Sequence, residues 1–242
     1  MTGLKRHIAS LFSNKGKLLV LAMDHAQGGI IPGLEKPYDL AMQHAGSLLD
    51  GYLINVGIAP IMAEESLLQK KLLLRAGFGG SAMATEYSNV HVNHVSPHTA
   101  LQMGADAVVI MLTIGGADYK SLQDAAQAID AYHQLHIPVV AEILGSDYSK
   151  TTSLEIQMNG ARIAAELGAD VVKAFYTESF DRVIAGCPAP ILLAGGPKGE
   201  DILTVAKQAV ALGVKGFAFG RNLFQHPHPN ELIGQLDVIL RG

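Results

Sequence analysis

A single lysine interrupts an apolar segment that is typical of a buried strand. Lys173 lies within the run Val-Val-Lys-Ala-Phe at residues 171–175. A charged ammonium in such a run must reach water, pair with an anion or lose its proton. An amine that has lost its proton is a nucleophile, and nucleophilic lysines form Schiff bases with carbonyl compounds. The segment therefore indicates imine chemistry at Lys173.

Two glycine-containing loops follow the last two predicted strands. Gly195 and Gly196 lie shortly before Lys198, and Gly220 directly precedes Arg221. Residues without a β-carbon let backbone N–H groups approach an anion closely, and the two cations would add positive charge. The glycines could merely turn the chain, but barrels often bind phosphate with the loops after strands seven and eight. The position of both loops favours a phosphate site.

Two carboxylates and a histidine lie at the ends of other apolar runs. Asp24 and His25 follow the first run and open a glycine-rich loop, and Glu142 lies within the run 138–144. Asp24 could accept a proton, hold a substrate hydroxyl, pair with Lys173 or only cap loop N–H groups. Glu142 could be a general acid/base, a partner of Lys173 or part of a structural ion pair. His25 is a candidate for substrate binding.

Short apolar runs alternate with longer amphipathic ones along the chain. The runs predict strands and helices in strict alternation. The predicted strands are 18–23, 51–57, 80–85, 107–113, 138–144, 170–176, 190–194 and 215–219. The predicted helices are 39–50, 64–76, 97–103, 118–135, 153–167, 178–185, 200–212 and 230–240.

Repeated βα units predict an α/β fold with a single (β/α)8 barrel over residues 1–242. Residues 1–16 are expected to form an N-terminal helix that caps the bottom of the barrel. The strand runs are continuous rather than alternating, as in parallel strands buried on both faces. An open doubly wound sheet is the alternative fold. It is less favoured because no Gly-x-Gly-x-x-Gly turn follows the first strand.

Composition narrows the class of protein. The chain has 242 residues, 49% of them apolar and 17% charged, with a net charge of −4 and one cysteine. These values predict no nucleic-acid surface, no membrane span and a cytoplasmic location without an internal disulfide. Lys70, Lys71 and Arg75 are interpreted as the solvated face of a helix. His91, His94 and His98 have metal-ligand spacing, but Pro97 would disrupt a helix carrying all three, and no metal is expected.

The chain resembles the archaeal-type class I fructose-bisphosphate aldolases, the DhnA-like or DeoC/FbaB aldolases. That family includes an autoinducer-2 phosphate thiolase and an aminodideoxyheptulosonate synthase. The resemblance covers nearly the whole chain and rests on several segments in the same order. They are Met-Asp-His at 23–25, Gly-Ala-Asp-Ala-Val at 104–108, Glu-Leu-Gly-Ala-Asp-Val-Val-Lys at 166–173, Gly-Gly-Pro-Lys at 195–198 and Gly-Arg-Asn-Leu-Phe-Gln at 220–225.

The resemblance implies a barrel, an imine at Lys173 and Asp24 in the site. It also implies a substrate phosphate surrounded by Gly195, Gly196, Gly220 and Arg221, a homo-oligomer, and no metal or organic cofactor. One feature departs from the family. Many of its fructose-bisphosphate aldolases carry a proton-transferring tyrosine at the end of strand five, where this chain has Leu144. Glu142, two residues earlier on the same face of the strand, could replace it.

The leading hypothesis is a class I aldolase or transaldolase that acts on a phosphorylated ketose, with dihydroxyacetone phosphate or a similar ketone phosphate as donor. Lys173, Asp24 and Glu142 are the expected catalytic residues. His25, Gly195, Gly196, Lys198, Gly220 and Arg221 are expected to bind substrate. Two alternatives remain: a phosphosugar isomerase or thiolase without an imine, and a non-catalytic phosphosugar-binding protein. A metal-dependent aldolase that uses the histidines is weaker still.

Overall fold

Eight parallel strands close into a barrel in the computed structural model, which describes residues 2–84, 91–195 and 201–242. The predicted (β/α)8 barrel is therefore confirmed. The strands are, in chain order, β1 Leu18–Ala22, β2 Gly51–Asn55, β3 Lys71–Arg75, β4 Gly77–Phe78, β5 Val92–Asn93, β6 Ala107–Ile114, β7 Val139–Gly145, β8 Val171–Ala174, β9 Ile191–Leu193 and β10 Gly216–Phe219. The order around the barrel is β1-β10-β9-β8-β7-β6-β3-β2.

Helices follow most of the barrel strands and form the outer layer. They are α1 Thr2–Leu11, α2 Pro37–Gln43, α3 Glu64–Leu67, α4 Pro97–Gln102, α5 Tyr119–Gln134, α6 Leu154–Glu166, α7 Phe180–Gly186, α8 Ile202–Leu212, α9 Arg221–Phe224 and α10 Pro229–Arg241. Short 3-10 turns lie at Ala26–Gly28, Ala59–Ile61 and Tyr148–Lys150. None of the described helices is long and apolar enough to cross a membrane.

The apolar residues of the barrel strands divide between two cores. One set faces the barrel interior, and it includes Val20, Leu73, Val140 and Val171. The alternate residues, such as Leu19, pack in a larger layer between the strands and the helices. Successive side chains of a strand point to opposite faces, so a strand between these two cores is apolar throughout.

Left-handed glycines end several helices where the sequence repeats a Leu-Gly or Met-Gly pattern. Gly104, Gly168 and Gly213 have φ angles of 69°, 103° and 108°. An L-residue with a β-carbon rarely adopts this conformation, and glycine adopts it freely, so the helix stops there and the chain turns into the next strand.

The third barrel strand lies earlier in the chain than predicted. The sequence predicts a helix over 64–76 and a strand over 80–85, but α3 ends at Leu67 and β3 spans Lys71–Arg75. Residues 80–84 are not a strand, and residue 85 lies outside the described part. Short apolar runs do not distinguish strand from helix by themselves. Here pairing with both β2 and β6 decides the conformation.

A two-stranded ribbon follows β3 on the outside of the barrel mouth. Strand β4 pairs antiparallel with β5, with Gly77 opposite Asn93 and Phe78 opposite Val92. The amide of His94 donates to the carbonyl of Ala76 at 3.0 Å. The ribbon therefore returns the chain to the C-terminal end of β3.

Candidate active site

Four charged side chains reach the barrel interior because each lies two residues after an interior position. Asp24 follows Ala22, Arg75 follows Leu73, Glu142 follows Val140 and Lys173 follows Val171, and these four preceding residues all belong to the interior core. Strand side chains alternate between faces, so the charged residues continue the interior rows at the C-terminal ends of the strands. Enzyme sites in this fold lie at that end.

The four side chains form one buried chain of ion pairs. The ammonium Nζ of Lys173 lies 2.7 Å from Oε1 of Glu142, in register on neighbouring strands. Arg75 donates through Nη2 to Oε2 of Glu142 and through Nε to Oδ2 of Asp24, the latter at 2.6 Å. Each side chain is at most 6% exposed. Charges buried this deeply require partners, and here each charge has one.

The network keeps both carboxylates ionised. Burial by itself would raise the pKa of Asp24, but the charges of Arg75, Lys173 and His25 hold it well below its ordinary value. Burial opposes ionisation of Glu142 as well, and Lys173 and Arg75 lower its pKa in the same way. Both groups are therefore proton acceptors at neutral pH.

Arg75 is a site residue that the sequence analysis missed. It was interpreted as part of a solvated helix face, but it is only 2% exposed. Burial would lower the pKa of the guanidinium, and Asp24 and Glu142 raise it instead. The available signal was the one used for Lys173: a lone cation at the end of an apolar run, here three leucines.

Glycines and a cation line the barrel mouth after β9 and β10, the two strands between β1 and β8. Gly195 has a φ of 156°, and a β-carbon on Gly220 would lie 2.5 Å from the ring of His25. The His25 ring packs edge-on against Phe224, with ring centroids 5.4 Å apart. Arg221 is exposed and has no ion pair within the described part of the chain. Glycine is required at Gly220 because the backbone and the ring of His25 approach so closely.

A buried histidine is the second site residue that was missed. His91 is 2% exposed, and neither ring nitrogen has a hydrogen-bond partner among the described residues. Burial and the nearby charge of Arg75 lower its pKa to about 4, so the ring is neutral at pH 7. His94 and His98 are exposed. Within residues 2–84, 91–195 and 201–242, no group of three potential ligands is arranged to hold a metal.

One cavity of about 760 Å³ collects most of the predicted site residues. Lys173, Asp24, Glu142, His25, Gly195, Gly220 and Arg221 all line it, together with Arg75 and His91. Gly196 and Lys198 lie outside the described residues. A smaller cavity of about 310 Å³ opens at the other end of the barrel, near Asp50 and Lys71. Asp50, which lines it, pairs with the buried Arg241, and the described lining holds no lysine–carboxylate ion pair.

The network suits a lysine nucleophile. A carboxylate in hydrogen-bond contact with Nζ can take the proton that the amine must lose, and Arg75 holds that carboxylate in place. A second ionised carboxylate, Asp24, lies on the other side of Arg75. The same cavity has room for a phosphorylated compound of several carbons between β3 and the loops after β9 and β10.

Comparison with known proteins gives a consistent result. The family model of the DeoC/LacD family aldolases matches residues 72–226. The chain is 29% identical to 2-amino-3,7-dideoxy-D-threo-hept-6-ulosonate synthase 1 of Archaeoglobus fulgidus, over 100% of this chain and 92% of that protein. It is 30% identical to the 3-hydroxy-5-phosphonooxypentane-2,4-dione thiolase of Escherichia coli K12, over 98% of this chain and 82% of that protein.

Solved structures agree. An archaeal fructose 1,6-bisphosphate aldolase superposes with a TM-score of 0.84 at 26% identity, covering 99% of both chains. A second structure of such an aldolase, with its catalytic lysine covalently bound to the carbinolamine intermediate, also has a TM-score of 0.84 at 26% identity and covers 99% of this chain and 100% of that one.

The predicted resemblance to class I aldolases is thereby confirmed, and the protein is an enzyme, a carbon–carbon lyase that works through a lysine Schiff base. The chain belongs to the DeoC/LacD family of aldolases.

Proposed function

We propose that Lys173 is the Schiff-base lysine of an aldolase or transaldolase that acts on a phosphorylated ketose, with dihydroxyacetone phosphate or a similar ketone phosphate as donor. The observation that carries the proposal is the contact of 2.7 Å between Nζ of Lys173 and Oε1 of Glu142 inside the large cavity. Among the described residues that line this cavity, Lys173 is the one lysine.

The phosphate end of the substrate binds to the loops after β9 and β10. Gly195 and Gly220 line the cavity at this end, and Arg221 supplies an exposed cation with no ion-pair partner among the described residues. We include Gly196 and Lys198 in this site on the sequence pattern alone. His25, beside Gly220, contacts the adjacent part of the donor. Fixing the phosphate places the donor carbonyl over the amine and converts the attack into an intramolecular step.

Glu142 moves the protons of the reaction. Its Oε1 takes the proton from Nζ of Lys173, and the free amine adds to the ketone to form a carbinolamine. Glu142 returns the proton to the departing hydroxyl, which leaves as water when the iminium forms. In the cleavage step, the hydroxyl on the carbon that becomes the aldehyde loses its proton to Glu142. The carbon–carbon bond then breaks and the aldehyde departs. Glu142 gives the proton to the reacting carbon of the enamine left on Lys173.

Asp24 has two roles in this proposal: it holds Arg75 in place, and it binds a hydroxyl of the donor substrate. Its Oδ2 accepts from Arg75, and its other oxygen, Oδ1, lies 3.9 Å from Nδ1 of His25. Oδ1 therefore has no short contact with a described side chain and is free for a donor hydroxyl. Glu142, and not Asp24, contacts the amine, so we assign the proton transfer to Glu142 in place of the tyrosine that many family members carry.

A thiolase is the second candidate, and the 30% identity to an Escherichia coli thiolase favours it. A thiolase would cleave the carbon–carbon bond and pass an acyl group to a thiol, so its product is a thioester rather than an aldehyde. Supplying coenzyme A with a phosphorylated diketone and testing for a thioester separates the two.

Borohydride trapping with dihydroxyacetone phosphate tests the proposal. Reduction of the imine should fix the donor on Lys173, and peptide mapping should find the mass there. Lys173→Met should abolish both the adduct and turnover. Lys70→Met is the matched control, because Lys70 is part-buried against the carbonyls of Ser47 and Leu49 away from the site. An adduct on another lysine, or turnover by Lys173→Met, would refute the assignment.

Self-association and a cytoplasmic location complete the proposal. Large apolar side chains are exposed on the described surface, among them Ile30, Leu68 and Met83 at 84%, 78% and 92%. Single exposed apolar side chains are ordinary on a protein surface, so the proposed self-association rests on the family resemblance. Sedimentation velocity at micromolar concentration should show a species larger than 25.6 kDa.

A further inference from the structure

His91 is a buried polar group that nothing in the described protein satisfies. Both of its ring nitrogens are buried and without a hydrogen-bond partner among the described residues, and the ring lines the large cavity. Buried polar side-chain atoms are nearly always hydrogen-bonded in folded proteins. An imidazole left unpaired at a cavity wall is arranged to receive its partner from a ligand.

A second unpaired donor lies in the same wall. Arg75 uses Nε and Nη2 for Asp24 and Glu142, while its Nη1 is buried and has no partner among the described residues. A guanidinium presents its donors in a fixed planar fork, so Nη1 has a set direction once the other two are held. The charge of Arg75 also acts on His91 directly. The two unpaired groups thus belong to one small region.

The ribbon holds His91 at this place. Strand β5 begins at the next residue and pairs with β4, and Asn93 donates through its amide N and through Nδ2 to Oδ2 of Asp124 on α5, at 3.1 and 2.5 Å. Gly77 allows the close packing, because a β-carbon there would lie 2.9 Å from the amide N of Met111. The pairing of β4 with β5 and the hydrogen bonds of Asn93 to α5 therefore hold His91 in position.

The two unpaired groups, His91 and Nη1 of Arg75, lie across the barrel from the loops proposed to bind phosphate. Around the closed barrel β3 is four strands from β9, with β8 and its lysine between them on one side. A donor anchored after β9 and β10 and bonded to Lys173 would therefore extend its far end towards β3.

The charges nearby select the kind of group that fits. Arg75, Glu142, Asp24 and Lys173 are the charged groups of the cluster beside His91, two positive and two negative. Their sum is zero, so the region attracts no second anion. It offers N–H donors to a neutral oxygen.

We propose that His91 and Nη1 of Arg75 form an oxygen-binding subsite for the second fragment of the reaction, the carbonyl oxygen of the aldehyde, which is the hydroxyl oxygen of the aldol product. The inference rests on the proposed function. The subsite binds the aldehyde and orients its carbonyl carbon towards the enamine, while proton transfer stays with Glu142.

The test separates the two halves of the reaction. Dihydroxyacetone phosphate alone reports donor chemistry, by borohydride trapping and by exchange of its reactive C–H proton with deuterated solvent. Condensation with D-glyceraldehyde, glycolaldehyde or D-glyceraldehyde 3-phosphate reports the second fragment, and the best of these is used for kinetics. The variants are His91→Leu, which removes the donor, and His91→Gln, which keeps one. His94→Leu, on the same ribbon but exposed, is the control.

We expect His91→Leu to lower kcat/KM for the aldehyde by roughly 10- to 100-fold, mainly through KM, while trapping and proton exchange stay within twofold of the wild type. His91→Gln should recover part of the loss, and His94→Leu should behave as the wild type. The subsite is wrong if His91→Leu keeps its aldehyde kcat/KM, or if exchange falls as much as condensation.

Failure of the proposed function gives a different pattern. In that case the wild-type enzyme forms no adduct on Lys173 and no product with any of the three aldehydes, and the inference falls with it. A wild-type adduct combined with unchanged condensation in His91→Leu overturns the subsite alone. Melting temperatures of all variants show whether a loss is one of folding.

Discussion

Glu142 is the proposed base of the reaction and lies between Lys173 and Arg75. It contacts the lysine through one oxygen and Arg75 through the other, so its charge and orientation are both fixed. A carboxylate in an apolar strand would by itself favour its protonated form, and the two neighbouring cations reverse that preference. The proposed base is thus ionised and able to accept a proton at neutral pH.

Glu142→Gln should lower turnover by ~10²–10⁴-fold, because the amide keeps the shape of the side chain but cannot accept the proton of Lys173. Single-turnover assays should show that imine formation itself slows. Glu155→Gln, an exposed change at the start of α6, is the control. If Glu142→Gln retained more than half of the wild-type turnover, another group would be the base.

At the scale of the elements, the short ribbon of β4 and β5 sets the position of His91. It is the segment that carries His91, and its position depends on the two hydrogen bonds from Asn93 to Asp124. Neither strand of the ribbon belongs to the barrel. Its position therefore depends on contacts with its surroundings.

Asp124→Ala should loosen the ribbon and so displace His91, with the same kinetic signature as a change of His91 itself. We expect KM for the aldehyde to rise several-fold, with donor trapping unchanged, because the described hydrogen bonds of Asp124 go to Asn93 and not to Lys173 or Glu142. Steady-state kinetics against aldehyde concentration measures this.

Asp130→Ala is the matched control, since Asp130 lies on the same helix and only accepts from the exposed Gln134. Equal effects of the two substitutions would mean that the ribbon does not position the subsite.

At the scale of the whole molecule, the two ends of the barrel differ in the contacts that their side chains make. The C-terminal end holds the site. At the other end Asp50 accepts from the amide of Leu19 at 2.6 Å and pairs with Arg241 in the last turn of α10. This contact joins the end of the chain to the start of the barrel, next to the pairing of β1 with β10 that closes it. The candidate site and these closing contacts thus lie at opposite ends of the barrel.

Stability of the whole molecule should fall as pH decreases from 6.5 towards 4, in part because of His91. The pKa of His91 is about 4 in the folded state, against the ordinary histidine value of 6.5 that holds in an unfolded chain. Over this range the unfolded state therefore binds a proton that the folded state does not. Burial and the charge of Arg75 are the causes, and Glu142 opposes them.

Urea unfolding at pH 7 and pH 5 measures the effect. His91→Gln should show a smaller loss of unfolding free energy between the two pH values than the wild type, because glutamine takes no proton. An equal loss in both proteins would show that His91 does not remain neutral in the folded state.

Local sequence patterns determined most of the fold and most of the residues that line the candidate site. Seven of the eight barrel strands were located from continuous apolar runs, and Lys173, Glu142 and Asp24 from lone charges in or directly after such runs. The strand predictions are confirmed because a parallel strand buried on both faces needs apolar residues throughout, and a charge within such a strand therefore stands out.

Only the tertiary structure decided the rest. The segment 71–75 has charges at both ends and reads equally as a helix, and it becomes a strand because β2 and β6 pair with its two edges. His91 lies in a polar stretch with no periodic signal, and its burial follows from the ribbon that returns it to the end of β3. Arg75 and His91 owe their buried positions to contacts between residues distant along the chain, which a local pattern does not record.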